Sequence, residues 1–274
     1  MSIGSNTTTL QTINASDAAV SYNGFSKIYG EGEGQVEALR NIDFDLPRQS
    51  FVSVVGPSGC GKSTLLHATA GINPPTSGTV KVDGVDVTSL EHENRKIGMV
   101  FQKPVLLQWR DIISNIMLPA EILVENGEID KHLDELRERA EELVELVGLE
   151  GFEDAYPKEL SGGMQQRVSI CRGLIHNPEV LLMDEPFGAL DALTRDKMNQ
   201  ELLRIWKETK KTTLFVTHNL EESIYLSDYV VVLSSRPGEV LDIIDVDLER
   251  PRTEETRIQA EYHETVEEIY EYFE

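Results

Sequence analysis

The chain has 274 residues, 40% of them hydrophobic, with 25 Lys and Arg against 48 Asp and Glu and a formal net charge of −23. That length and apolar content suit one large domain or a core with a subdomain, and they exclude a disordered tail or a small disulfide scaffold. The acidic balance speaks against nucleic-acid partners, which are held by Lys and Arg displacing counterions. It fits either ordinary solubility or a salt-rich cell interior, since screening over about 8 Å or less makes a dense carboxylate surface tolerable.

In chain order, residues 1–17 read as a flexible tail, rich in Ser, Thr and Asn and lacking the basic-then-apolar pattern of an export leader. No stretch approaches the roughly 18 apolar residues of a membrane-spanning helix, so the protein is expected to be soluble and unexported. Residues 18–45 alternate in short segments broken by Gly30, Gly32 and Gly34, which predicts strands and a hairpin. Phe51 to Val55 is a short apolar run that fits a buried strand, followed by a Gly-rich loop and a helix over 62–70. Further buried strands are predicted at 97–101, 180–183, 213–217 and 229–233, with helical patterns between several of them, which points to a mainly parallel sheet covered by helices.

Between Lys103 and Pro157 the texture changes. Ile129, Leu133, Leu136, Ala140, Leu143 and Val147 recur at steps of three and four among charged residues, and Gly148 stands where a helix stops, so an amphipathic helix in an inserted helical subdomain is predicted. At the other end, the acidic segment from Glu249 to Glu274 carries Ile258, Tyr262, Val266, Ile269, Tyr270 and Phe273 on one helical face, as for a short helix packing on the core. The two cysteines, Cys60 and Cys171, form no CxxC and no ligand-spaced pair with His, which argues against disulfides and structural zinc and for a reducing compartment.

Three segments carry chemistry. Gly56, Pro57, Ser58, Gly59, Cys60, Gly61, Lys62 and Ser63 fit GxxxxGKS between a strand and a helix, and Thr64 follows. Glycines there let backbone N–H groups converge on a phosphate, the helix dipole favours the anion, Lys62 adds charge and Ser63 can ligate Mg2+. Cys60 reads as a small loop residue, with a redox role as the alternative. The apolar strand 180–183 ends in Asp184 and Glu185, at the strand end where parallel sheets bind ligands. Asp184 is suited to a Mg2+ shell and Glu185 to polarising an attacking water. Leu160, Ser161, Gly162 and Gly163 precede a predicted helix over 164–174, a second arrangement suited to an anion.

Together these motifs resemble the nucleotide-binding subunit of ATP-binding cassette (ABC) transporters, whose signature is LSGGQ; Met164 stands in its last position. The resemblance runs over about 18–250 and implies an α/β P-loop NTPase (RecA-like) core, an antiparallel β subdomain near the N-terminus and a helical subdomain inserted at about 103–165, with 251–274 as an acidic helical extension. It further implies that Tyr29 stacks on adenine, that Gln102 senses Mg2+ and the water and that Asp191 contacts the opposite subunit. His218 is implied to touch the γ-phosphate. Ser161 and Gly163 act in trans in such a dimer, so that two chains clasp ATP and separate once it is hydrolysed.

The run Leu106-Leu107-Gln108-Trp109-Arg110 is similar to the LLPWR of the nitrate, sulfonate, taurine and pyrimidine-precursor importers, with Gln108 in place of proline. Trp109 and Arg110 are candidate permease contacts, although Trp109 reads equally well as subdomain core. The expected function is ATP hydrolysis that energises import of a small solute, such as the anions nitrate, sulfonate or taurine, with ATP and Mg2+ as cofactors. Expected partners are a second identical or related cassette, an integral-membrane permease at whose cytoplasmic face the chain resides and, indirectly, a solute-binding protein. A soluble ABC ATPase acting on nucleic acid or ribosomes is the alternative, disfavoured by the net charge; a P-loop kinase needs no second phosphate device.

Overall fold

The computed structural model describes residues 17–89, 97–127 and 132–274, so the expected tail, apart from Asp17, and Ile129 lie outside the described residues. The chain divides into two compact units, one made of Met1–His92 and Lys210–Glu274, the other of Glu93–Thr209.

In the first unit, β1 (Ala18–Tyr29) and β2 (Val36–Pro47) form the expected antiparallel hairpin, extended by β4 (Ser77–Val82) and β5 (Val85–Asp86) in the order β2-β1-β4-β5. Alternation buries one face: Tyr22 lies opposite Phe44 in the register, with ring centroids 4.6 Å apart, and Phe25 is fully buried beside them. The Tyr22 hydroxyl meets the Thr69 hydroxyl at the end of α1 (Lys62–Thr69), which fastens this sheet to the helix that follows the Gly-rich loop.

The same unit holds β3 (Phe51–Val55), flanked in parallel by β8 (Thr212–Val216) and β9 (Tyr229–Leu233), with β10 (Val240–Asp245) antiparallel to β9. All five residues of β3 are buried, which is why it reads as a mostly apolar run, broken only by Ser53, rather than an alternation. After β8 comes the short α6 (Leu220–Leu226), and the chain closes with α7 (Ala260–Tyr270).

In the second unit β6 (Ile97–Val100) runs parallel to β7 (Val180–Asp184). Between them in sequence lie α2 (Ile112–Glu125), α3 (Leu133–Leu146) and α4 (Gly162–Leu174), and α5 (Ala192–Thr209) follows β7. The predicted amphipathic helix is α3: Leu136, Ala140 and Leu143 are buried, and the chain turns at Gly148 with φ +64°. Leu133, expected on the same face, is exposed in the first turn.

β6 and α4 touch closely enough that a Cβ on Gly98 would lie 2.0 Å from the Gly173 carbonyl oxygen. Gly98→Ala is expected to cost about 3 kcal/mol or more, the upper range for overpacking, because backbone rather than a side-chain tip must move. Thermal unfolding checks this, and an unchanged Tm would show that α4 can slide.

Candidate functional site

The first unit carries the Gly-rich loop. On its inner side a Cβ at Gly61, where φ is +111°, would meet the Ala38 carbonyl oxygen at 2.8 Å and Leu39 Cδ2 at 2.6 Å. Only glycine fits that approach in that conformation. At Gly59 nothing lies within 4 Å of the equivalent point, so the loop is packed behind and open in front. That is a cradle with room for an anion, and the amides of α1 begin at its edge.

Lys62 is 6% exposed, and its ammonium donates to the carbonyl oxygens of Gly56 at 2.8 Å and Pro57 at 3.1 Å, so the charge is held at the loop. Ser63 stands exposed in the first turn of α1, and Thr64 beside it accepts from the Tyr29 hydroxyl at 3.4 Å. Tyr29 is 37% exposed with the Lys27 ammonium 5.2 Å from its ring centroid, so its ring is not sealed into strand packing. Cys60 is buried, and that burial pushes its thiol up against the opposing pull of the Lys62 charge. A protonated, covered thiol suits a small loop residue and not a redox switch.

His218 follows β8. With Asn219, Leu220 and Glu221 it lines a cavity of about 620 Å3 whose other walls are Gly56 and Pro57 of the loop and Tyr270 and Phe273 of the C-terminal segment. The structure thus places His218 on one cavity with Gly56 and Pro57 of the loop. It also adds two aromatic residues that sequence reasoning placed on a packing helix but not at the site.

The second unit carries the remaining residues. Asp184 closes β7, and Glu185 follows with φ +43°, a left-handed conformation uncommon outside glycine. The Gly188 amide donates to the Glu185 carbonyl at 3.0 Å, and the Gln102 side-chain amide donates to the Glu185 carboxylate at 3.4 Å. Gln102 and Glu185, 83 residues apart, are therefore neighbours.

Ser161 caps α4, its hydroxyl accepting from the Met164 amide at 3.3 Å, and both Ser161 and Gly162 are exposed. A Cβ on Gly162 would lie 3.7 Å from Leu190, and one on Gly163 3.3 Å from Thr194, so the start of α4 lies against the loop that leads into α5. Asp191 caps α5: its carboxylate accepts from the Thr194 amide at 3.0 Å and the Thr194 hydroxyl at 2.7 Å. These bonds hold its carboxyl below the ordinary range.

Two residues that sequence reasoning missed order the segment after Gln102. Arg172, buried on α4, donates to the carbonyls of Pro104 at 2.6 Å and Val105 at 2.9 Å. Asn115, fully buried on α2, donates to the carbonyls of Leu107, Arg110 and Asp111 and accepts from the Leu107 amide. On the loop so pinned, Trp109 is 74% exposed and Val105 62%, which removes Trp109 from the subdomain core. Arg110, partly exposed, pairs with Glu121 at 2.7 Å and donates to the Ser114 carbonyl, bracing α2. Asn115 and Arg172 gave no local signal, because a buried polar residue on a helix resembles an exposed one until its partners are known.

Comparison with known proteins adds to this geometry. The family model described as "ABC transporter" matches residues 39–188. The chain is 42% identical over 253 residues to the aliphatic sulfonates import ATP-binding protein of Bacillus cereus, covering 92% of this chain and 96% of that one. It is 45% identical over 226 residues to the taurine import ATP-binding protein of Rhizobium johnstonii, covering 82% of each. A solved bacterial ABC transporter cassette, dimeric in its structure, matches with a TM-score of 0.71 at 33% identity, over 84% of this chain and 100% of that one. The same cassette, dimeric in a post-hydrolysis state bound to ADP and Pi, matches with 0.68 at 34% identity, over 81% and 98%.

Proposed function

The chain belongs to the ABC transporter family, and from that premise we propose that it energises import of a small sulfonate, such as taurine or an aliphatic sulfonate, two copies closing around ATP and parting on its hydrolysis. It is an ATP-hydrolysing, nucleotide-binding subunit with the α/β fold of the ABC cassette. One observation carries the dimeric reading: the exposed Ser161 and Gly162 head a 13-residue helix on a chain that already holds a complete phosphate loop. A second anion-binding helix start is redundant in a monomer and necessary where one chain completes the other's site.

In this reading the loop from Gly56 to Thr64 holds the phosphates, Lys62 neutralises them, and Tyr29 lies against the base. Glu185 accepts the proton of the attacking water, oriented by Gln102, while His218 meets the γ-phosphate. Ser161 and Gly163 bind the partner chain's nucleotide, and Asp191 lies at the shared boundary. The hydroxyl of Ser63, the carboxylate of Asp184 and the carboxamide of Gln102 each offer a hard oxygen of the kind that suits Mg2+, which would supply charge neutralisation at the phosphates.

Among the described residues no helix is long and apolar enough to cross a membrane; the likeness to importer ATP-binding proteins supports a separate permease as the transport path. Trp109 and Val105, held outward by the bonds of Asn115 and Arg172, form the surface for that permease at the cytoplasmic face of the membrane. The reading is tested by affinity capture of the Glu185→Gln chain from detergent-solubilised native membranes with Mg-ATP. A multi-span permease is expected, with an associated solute-binding protein that takes up taurine or an alkanesulfonate. Recovery of only soluble or nucleic-acid-associated proteins would overturn it.

A further inference from the structure

The C-terminal segment grips α6 at both ends. At the start of α6, the hydroxyl of the buried Tyr262 on α7 donates to the Glu221 carbonyl at 2.9 Å. At its far end the buried Arg252 guanidinium donates to the carbonyls of Ile224, Tyr225 and Ser227, while the Tyr225 hydroxyl returns a bond to the Arg252 carbonyl at 3.2 Å. α6 has seven residues, too few for a helix to persist in water without tertiary support. Its place is therefore set by what holds it.

What α6 in turn places is His218. Asn219 caps the helix, its side chain accepting from the Glu222 amide at 3.0 Å, and its own amide donates to the Thr217 hydroxyl at 3.1 Å. Thr217 also donates to the Glu222 carboxylate. His218 lies inside this closed set of bonds, so its backbone is tied to the first turn of α6. Tyr270 and Phe273, from the same segment that supplies Tyr262, wall the cavity that His218 shares with Gly56 and Pro57.

We propose that Tyr262 is a positioning residue for His218: its bond to Glu221 fixes the first turn of α6 and thereby sets the imidazole against the loop side of the cavity. This rests on the reading of His218 as the residue that meets the γ-phosphate. The C-terminal helix is then part of the hydrolytic machinery and not merely a cover for the core.

The test compares Tyr262→Phe, His218→Ala and the double variant in the full-length chain. Removing the hydroxyl alone is expected to lower kcat by about 3- to 10-fold, the scale of one hydrogen bond, while KM for ATP shifts by less than about 2-fold. In the His218→Ala background the same change is expected to alter kcat by less than about 2-fold, because a residue acting through His218 has nothing left to position. Hydrogen exchange of the nucleotide-free chain gives a readout apart from activity: amides of residues 219–223 should exchange about 3- to 10-fold faster in Tyr262→Phe. Equal losses on both backgrounds, an unchanged kcat or unchanged exchange would overturn the proposal. If His218→Ala by itself left turnover intact, the reading of His218 would fail and the proposal with it. A sensitive His218 with a silent Tyr262 would overturn the positioning role alone.

Discussion

Glu185→Gln is expected to lower ATP turnover by about 10²- to 10⁴-fold while ATP binding is retained, the scale of losing a general base. The exchange is nearly isosteric, and a glutamine oxygen can still accept from the Gln102 side chain, which lies 3.4 Å from the carboxylate, so the local arrangement survives. What disappears is the capacity to take a proton. Chains that bind ATP but do not hydrolyse it should accumulate as dimers, since the bridging γ-phosphate is never removed. Single-turnover hydrolysis, equilibrium ATP binding and gel filtration with Mg-ATP check the three parts. Wild-type turnover in the variant would remove Glu185 from the role of base.

Lys62→Met is expected to weaken ATP binding by about 10²-fold or more, because two charge-assisted phosphate contacts are lost at once. Methionine keeps most of the buried stem, so the packing of α1 is preserved. The ammonium now donates to the carbonyls of Gly56 and Pro57, and giving up those bonds at an accessible loop costs the fold little. Calorimetric titration with a non-hydrolysable ATP analogue measures the loss, with Tm as the control for folding. Affinity within about 3-fold of wild type would mean that Lys62 makes no phosphate contact, since one charged hydrogen bond alone exceeds that factor.

Those two residues were legible because their chemistry is local. Phe51 to Ser63 and Val180 to Glu185 each show strand, turn and functional group within a short window, and β3, α1 and β7 lie there in the structure. Ser161 was legible for the same reason, as a capping serine ahead of a helical pattern. Long-range packing was not. Periodicity set Ile258 on one face with Tyr262, yet Ile258 is 79% exposed in a 3-10 turn, Glu254–Ile258, that ends before α7 begins. Gln259, in an extended conformation at ψ 147°, separates that turn from the helix. The strand expected to reach Phe101 stops at Val100, leaving Phe101 partly exposed next to Gln102. The pairing of Arg110 with Glu121 on α2 is likewise visible only in the fold. The helical face expected to run on through Tyr270 and Phe273 is cut short, since α7 ends at Tyr270, and no local pattern hinted at the cavity because their neighbour His218 is distant along the chain.

The backbone of Glu185 bears on how such a chain can change over generations. At φ +43° the residue occupies a conformation that costs a non-glycine side chain on the order of 1 kcal/mol or more, so Glu185→Gly would make the protein easier to fold. Folding and hydrolysis therefore pull this codon in opposite directions. A duplicated copy relieved of transport duty would drift toward glycine here early and gain robustness as it lost its reaction.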